Sequence, residues 1–292
     1  MAARRTILTR IGLREIESRG LDPAFWTDLY HRSMIVQWPV FFGIAALIFV
    51  VLNAGFGFLY WLGHEPIANV SPDLPLPLSL FYFSIETLAT VGYGDMHPQT
   101  NYGHIVATIE IFTGMSFLAV MTGLIFARFS RPKARFVFAR HPVVTTHQGE
   151  PTLMIRIANA RHNAISQATA RLWMFRLEDT KEREQFRRYY ELKLERREHP
   201  MFSLSWTLLH VIDQSSAFYG MTADDFAAVE GALILNVDGV DDNSAQRLYA
   251  RQIYSRNDIR WQHRYRDITS LSEQGRLVLD YSKFHEVVTE EV

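Results

Sequence analysis

Six consecutive residues, Thr90-Val91-Gly92-Tyr93-Gly94-Asp95, hold the chemistry around which the chain can be read. Their useful atoms are backbone carbonyls. A Thr-Val-Gly-Tyr-Gly loop aims carbonyl oxygens at an axis, and four such loops together replace the hydration shell of K⁺. The carbonyls of Thr90, Val91, Gly92 and Tyr93 are the expected ligands. Gly92 and Gly94 suit a backbone that must visit positive φ to turn successive carbonyls the same way. Thr90 adds a hydroxyl at the inner end, and Asp95 is expected at the outer mouth, where a carboxylate attracts cations. A bare Gly-Tyr-Gly would mean little, since such triplets occur in turns. The flanking residues give it weight.

The loop must be carried by something at membrane depth. Residues 79–89 are too short to span a bilayer but apolar enough to enter one. They read as a re-entrant pore helix capped by Ser79, whose C-terminal end points partial negative charge at the loop. Residues 39–62 contain 24 residues without a charge, long enough to cross with some tilt. Residues 102–129 form a second span with Glu110 as its one acid. Trp38, Tyr60 and Trp61 sit where interfacial aromatics are expected. Before the first span, residues 23–34 read as an amphipathic helix for the membrane interface, and residues 1–22 as a polar, basic arm. The expected organisation is therefore an arm (1–22), an interfacial helix (23–34), a two-span pore domain (35–133) and a C-terminal domain (134–292).

Basic residues fix the expected orientation. No Lys or Arg lies between 33 and 127, whereas Arg4, Arg5, Arg10, Arg14, Arg19 and Arg32 precede the spans and Arg128, Arg131, Lys133, Arg135 and Arg140 follow them. The positive-inside rule then places both termini in the cytoplasm of a multi-pass inner (plasma) membrane protein, with the loop facing outward. The Arg-rich start lacks the apolar core of a secretory signal.

Beyond Pro132 the pattern changes to period two. Leu153, Ile155 and Ile157 alternate with Met154, Arg156 and Ala158, and further alternating runs follow at 168–177, 189–194, 203–212, 232–237, 246–254 and 259–268. Spacing of this kind suggests a β-sandwich. Thr222 to Glu230 reads as a short capped helix.

The chain resembles the inward-rectifier potassium channels, specifically their bacterial branch, over about Asp22 to Glu286. The resemblance rests on Thr90-Val-Gly-Tyr-Gly-Asp95, Phe129-Ser-Arg-Pro132, Ala158-Asn-Ala-Arg-His-Asn163, Ser203-Leu-Ser-Trp-Thr207 and His210-Val-Ile-Asp213. It implies a membrane α domain of two spans and a pore helix, joined to an all-β immunoglobulin-like cytoplasmic domain and assembled as a homotetramer. It implies Glu86 as a brace behind the filter and Phe126 as a gate that closes by steric block and dewetting. Leu118 falls where strongly rectifying relatives carry an acid, so block by Mg²⁺ or polyamines is expected to be weak unless Glu110 substitutes. Thr122 joins Leu118 and Glu110 as a candidate for the inner cavity, although Glu110 could equally pair with a neighbouring helix. Gly114 and Gly123 are candidate hinges, or packing glycines. Arg32, Arg128, Arg131, Lys133 and Arg135 are candidates for anionic lipid, including phosphoinositide.

No Cys is present, the 11 His show no metal-ligand spacing, and no phosphate loop or catalytic triad is evident, so no enzyme or resident cofactor is expected beyond K⁺ in the filter. A net charge of −1 gives no reason to expect nucleic acid. Two other readings remain at this stage: a weakly selective cation channel, and a membrane-anchored binding protein with a vestigial pore.

Overall fold

The computed structural model describes residues 7–11, 14–18, 29–131, 135–161, 163–179 and 185–290. The chain divides into two compact units, Asp22–Arg131 and Met1–Leu21 with Pro132–Val292.

The first unit is helical: α1 Leu29–Ile35, α2 Trp38–Trp61, α3 Leu76–Leu88 and α4 Asn101–Phe129. Of the interfacial helix expected at 23–34, residues 23–28 lie outside the described residues. Pro39 stands in the first turn of α2, where its missing N–H costs nothing. Thr100 caps α4 by accepting from the Gly103 N–H at 3.1 Å. At 1.5 Å per residue, α2 and α4 are roughly 36 and 43 Å long, beyond the ~30 Å of a hydrocarbon core. In their most apolar stretches only 22% and 11% is buried by the chain itself. A helix from a soluble core would be mostly covered, so these two suit lipid and neighbouring subunits.

The pore helix begins earlier than expected. Pro75 precedes it and Pro77 occupies its first turn, so α3 starts at Leu76. Ser79 is therefore not its cap; its hydroxyl is buried within the second turn.

Contacts fix the helix directions. Gly57 packs on the backbone of Leu80 and Phe81, and Asn53 meets Ser84, so α2 and α3 are antiparallel. Ser84 meets Glu110, and Gly114 packs on Leu88, so α3 and α4 run the same way. The segment after α3 must return toward the start of α4. Pairing of Ile67 with Pro98 and of Ala68 with His97 joins the two loops at that end.

The second unit is built on two five-stranded sheets. One has Glu198–Phe202, Ile165–Asp179, Ala232–Asp241 and Arg247–Ser255 in order, with Gln185–Leu192 also on Ile165–Asp179. The other has Ser205–Val211, Glu150–Asn159, Val143–His147 and Arg260–Trp261, with Phe136–Phe138 also on Glu150–Asn159. Arg260–Trp261 pairs parallel, so this sheet is mixed. The period-two reading of 152–158 explains the core: Leu153, Ile155 and Ile157 meet Ala170, Leu172, Leu233 and Leu235 from the other sheet. The opposite face is covered too. Ala158 packs with Ile268 and Phe284, and the Arg156 guanidinium stacks on Tyr265 at 4.5 Å. Thr222 and Asp225 form a capping box for α5 Ala223–Ala228.

In the chain's first residues Ile7–Ile11 pairs antiparallel with Arg14–Ser18.

Candidate functional site

Residues 90–94 take an alternating backbone. Thr90, Gly92 and Gly94 have φ of +56°, +59° and +90°, while Val91 and Tyr93 between them stay at negative φ. In an ordinary strand successive carbonyls point to opposite sides; alternation of hand turns them to one side. The two glycines take this conformation without penalty. Thr90 is β-branched and takes it at a cost, which its surroundings must impose. They do so through hydrogen bonds to the end of α3. The Thr90 N–H donates to Thr87 O at 3.1 Å, and the N–H groups of Val91 and Gly92 donate to Glu86 O at 2.8 and 3.3 Å. With donors turned back to α3, the carbonyls are left for another partner. At the far end Asn69 donates to Asp95 O at 3.0 Å. Val91 and Tyr93 are half or more exposed within the single chain.

Glu86 thus supports the loop by its backbone carbonyl. Among the described residues, no side-chain partner for its carboxylate is found. The buried carboxylate is Glu110, which has no exposed surface. The Tyr60 hydroxyl donates to its Oε2 at 2.7 Å, and Ser84 Oγ lies against its Oε1. Ser84 Oγ also lies 3.0 Å from Asn53 Oδ1, and Asn53 Nδ2 donates to Phe49 O at 2.7 Å. Glu110 is therefore enclosed by α2, α3 and α4 of its own chain and does not belong with the cavity candidates. The alternative of pairing with neighbouring helices is the one the geometry supports, because a carboxyl in an apolar span must find polar partners.

Gly114 is likewise not a hinge. A Cβ there would lie 2.1 Å from Leu88 O, so the glycine lets α4 approach the end of the pore helix. The space beside Gly123 is open, and α4 runs unbroken through both.

The face of α4 turned to its own chain continues from Glu110 and Gly114 through Phe117, Met121 and Leu124 to Arg128, all buried or half-buried. Leu118, Thr122 and Phe126 stand one position off that face at a spacing of four. All three are exposed.

Arg128 leaves the lipid set for a similar reason. Its guanidinium donates to Ser33 O and, at 2.5 Å, to Val36 O, and it stacks on Trp38 and Phe41 at 4.4 and 4.6 Å. Only 8% of the residue is exposed. It ties the end of α1 to the end of α4, where a cation also favours the helix dipoles. Sequence reading missed this because the partners are backbone carbonyls, which carry no residue signature. Arg131 donates to Met34 O at 3.3 Å and is otherwise exposed. Arg32 and Arg135 are exposed, and Lys133 lies outside the described residues.

Comparison with known proteins bears on both units. Residues 45–131 match the family model described as "Ion channel", and residues 136–292 match "Inward rectifier potassium channel C-terminal domain". The chain is 36% identical over 282 residues to inward rectifier potassium channel Kirbac3.1 of Paramagnetospirillum magnetotacticum, covering 96% of this chain and 95% of that one. It is 30% identical over 286 residues to the human G protein-activated inward rectifier potassium channel 1, covering 89% of this chain and 56% of the longer relative. Mouse inward rectifier potassium channel 4 matches at 25% over 300 residues, covering 89% and 66%. A half-length helix and its following loop between two spans now have a C-terminal unit of matching kind, and the chain belongs to the inward rectifier potassium channel family.

Proposed function

We propose that four copies of this chain surround one axis, each contributing the carbonyls of Thr90, Val91, Gly92 and Tyr93 to a K⁺ filter. Family membership makes the function K⁺-selective transport of the inward-rectifier type rather than catalysis. The observation that carries the filter reading is the alternation of backbone hand at 90, 92 and 94. A single strand of carbonyls cannot enclose an ion, and the exposed Tyr93, Leu118 and Phe126 need cover that one chain does not supply.

In this reading Asp95 stands at the outer mouth, and Leu118 and Thr122 line an uncharged inner cavity. Phe126, one helical turn below Thr122, narrows the inner exit. Gly123 is the remaining place for α4 to bend. Without an acid at 118, Mg²⁺ and polyamines block weakly. The C-terminal unit is an immunoglobulin-like cytoplasmic domain that modulates the gate, and both termini lie in the cytoplasm, as the basic residues direct. Arg32, Arg131, Lys133 and Arg135 lie near the inner leaflet and attract anionic headgroups, phosphoinositide among them. A lipid that binds one arrangement of these groups better than another shifts the gate. The domain limits follow the same reading: arm 1–22, interfacial helix 23–34, pore domain 35–133 and cytoplasmic domain 134–292.

The test is reversal potential. Purified protein in planar bilayers between K⁺ and Na⁺ solutions should reverse near the K⁺ equilibrium potential, and chemical cross-linking should stop at four subunits. A reversal potential near zero would mean a weakly selective cation channel. No conductance at all would favour a binding protein with a vestigial pore.

A further inference from the structure

The cluster of Asn53, Tyr60, Ser84 and Glu110 has a hydrogen-bond inventory that does not close if Glu110 is ionised. Three oxygens lie in a row: Asn53 Oδ1, Ser84 Oγ and Glu110 Oε1. Two contacts between them need two hydrogens. The orientation of Asn53 is settled by Phe49 O, which can only accept, so Nδ2 faces it and Oδ1 faces Ser84. Ser84 brings one hydrogen. The Tyr60 hydroxyl hydrogen is used on Oε2, on the other side of the carboxyl group. The missing hydrogen has one remaining source, which is Glu110 itself. As a carboxylic acid, Glu110 donates from Oε1 to Ser84 Oγ, Ser84 donates to Asn53 Oδ1, and Tyr60 donates to Oε2. Each contact then holds one hydrogen.

We propose that Glu110 is a neutral, hydrogen-bond-donating acid and a positioning residue for the ion filter. The inference rests on the K⁺-filter reading above. Its path is short. Ser84 lies two residues before Glu86, whose carbonyl receives the N–H groups of Val91 and Gly92. One turn along, Gly114 sits against Leu88. Residues 84 with 110 and 88 with 114 therefore fix α3 to α4 at two points about 6 Å apart along each helix. One contact alone would let α3 pivot, and two hold both its depth and its angle. The first contact is polar and the second is steric, so they can be removed separately. The carboxylate of Glu86, the residue the resemblance suggested for this task, makes no hydrogen bond or ion pair among the described residues.

The experiment is bi-ionic reversal potential on the full-length protein in bilayers, with tetramer yield followed for each variant. Glu110→Gln can still donate to Ser84 and accept from Tyr60, and should keep the K⁺ over Na⁺ permeability ratio within about two-fold of the parent. Glu110→Leu removes the donor to Ser84 Oγ and leaves the Tyr60 hydroxyl buried and unpaired, and should lower the ratio by roughly ten-fold or more. Ser84→Ala and Tyr60→Phe each remove one hydroxyl with little change of shape and should lower it in the same direction if Glu110→Leu fails to assemble. Infrared difference spectra between parent and Glu110→Gln should show loss of a protonated-carboxyl C=O band, and spermine block should be the same in both. A Glu110→Gln variant that behaves as Glu110→Leu, or that loses a carboxylate band instead, would overturn the neutral acid. Unchanged selectivity in Ser84→Ala, Tyr60→Phe and Glu110→Leu would overturn the positioning role. A parent that does not prefer K⁺ would overturn the filter reading instead, and the infrared result would still decide the protonation of Glu110.

Discussion

In the C-terminal unit Phe202, Leu235 and Trp206 are 0%, 0% and 2% exposed, enclosed by their own chain. In the helical unit Tyr93, Leu118 and Phe126 are 78%, 64% and 72% exposed. Both units are rich in apolar residues, although charged residues are concentrated in the C-terminal one. The difference lies in where the covering surface comes from. Two β-sheets share a core and complete each other. Two long helices and a half-helix leave wide apolar faces for lipid and for other copies. Polar groups differ in the same sense. In the β unit His210 is buried between Lys193 O and Ser216 Oγ at 2.7 Å each, and burial holds its pKa below the ordinary imidazole value. In the helical unit the buried Asn53, Ser84 and Glu110, with Tyr60, join three helices beside the loop at 90–94. One unit covers its apolar core with its own chain, and the other leaves wide apolar faces open.

The sharpest way to break this contrast is Gly92→Ala. An added Cβ meets nothing within 4 Å of its own chain, so the penalty is that of the left-handed backbone, about 1–2 kcal/mol per copy, incurred four times in the ring. K⁺-selective flux should be lost while tetramers still form, as liposome flux and gel filtration would show. Retained selectivity would remove residue 92 from the filter. The matching change in the closed unit is Trp206→Ala. Urea unfolding of the full chain should show that unit destabilised by about 3–5 kcal/mol, the range for a large core aromatic. A shift below about 1 kcal/mol would mean that the core is not as closed as its burial implies.

Leu118→Asp should move four carboxylates into the cavity and strengthen voltage-dependent spermine block by roughly ten-fold or more. A variant that responds as the parent does would put residue 118 against lipid or a neighbouring helix. Phe126→Ala removes a ring from the inner exit of each copy and should raise single-channel open probability by a factor of about two to five. An unchanged or lower open probability with normal expression would argue against the gate. The smallest effect is expected at the linker. Each basic residue near an anionic surface is worth about 1 kcal/mol, so Arg131→Gln with Lys133→Gln should reduce the change in K⁺ flux caused by phosphoinositide in liposomes. An equal response in parent and variant would take the linker out of lipid control.

Several features were legible before any coordinates. The filter string, the charge-free run at 39–62, the basic residues on one side of both spans and the period-two runs after Pro132 are local signals, each decided by residues close in sequence. The core followed from one of them, since Leu153, Ile155 and Ile157 had to share a face. The start of the pore helix is local too, and lies at Leu76 rather than at Ser79. Pro77 in a first turn is a sequence rule, and it outweighs a serine two residues later.

What the sequence alone determined is thus the two spans with a half-length helix between them, the strand-rich C-terminal unit and the family. Tertiary structure decided the partners. Glu110 could have faced water or a helix, and packing of α2, α3 and α4 put Tyr60 and Ser84, 50 and 26 residues away, around its carboxyl group. Arg128 had the charge and position of a lipid contact until α1 brought the carbonyls of Ser33 and Val36 to it across more than 90 residues of chain. Gly114 had the freedom of a hinge until Leu88 occupied the space a Cβ would need. A backbone motif and a hydrophobic period are written in neighbouring residues. The partner of a buried charge is chosen by which helices meet, and that choice exists only once the chain has folded.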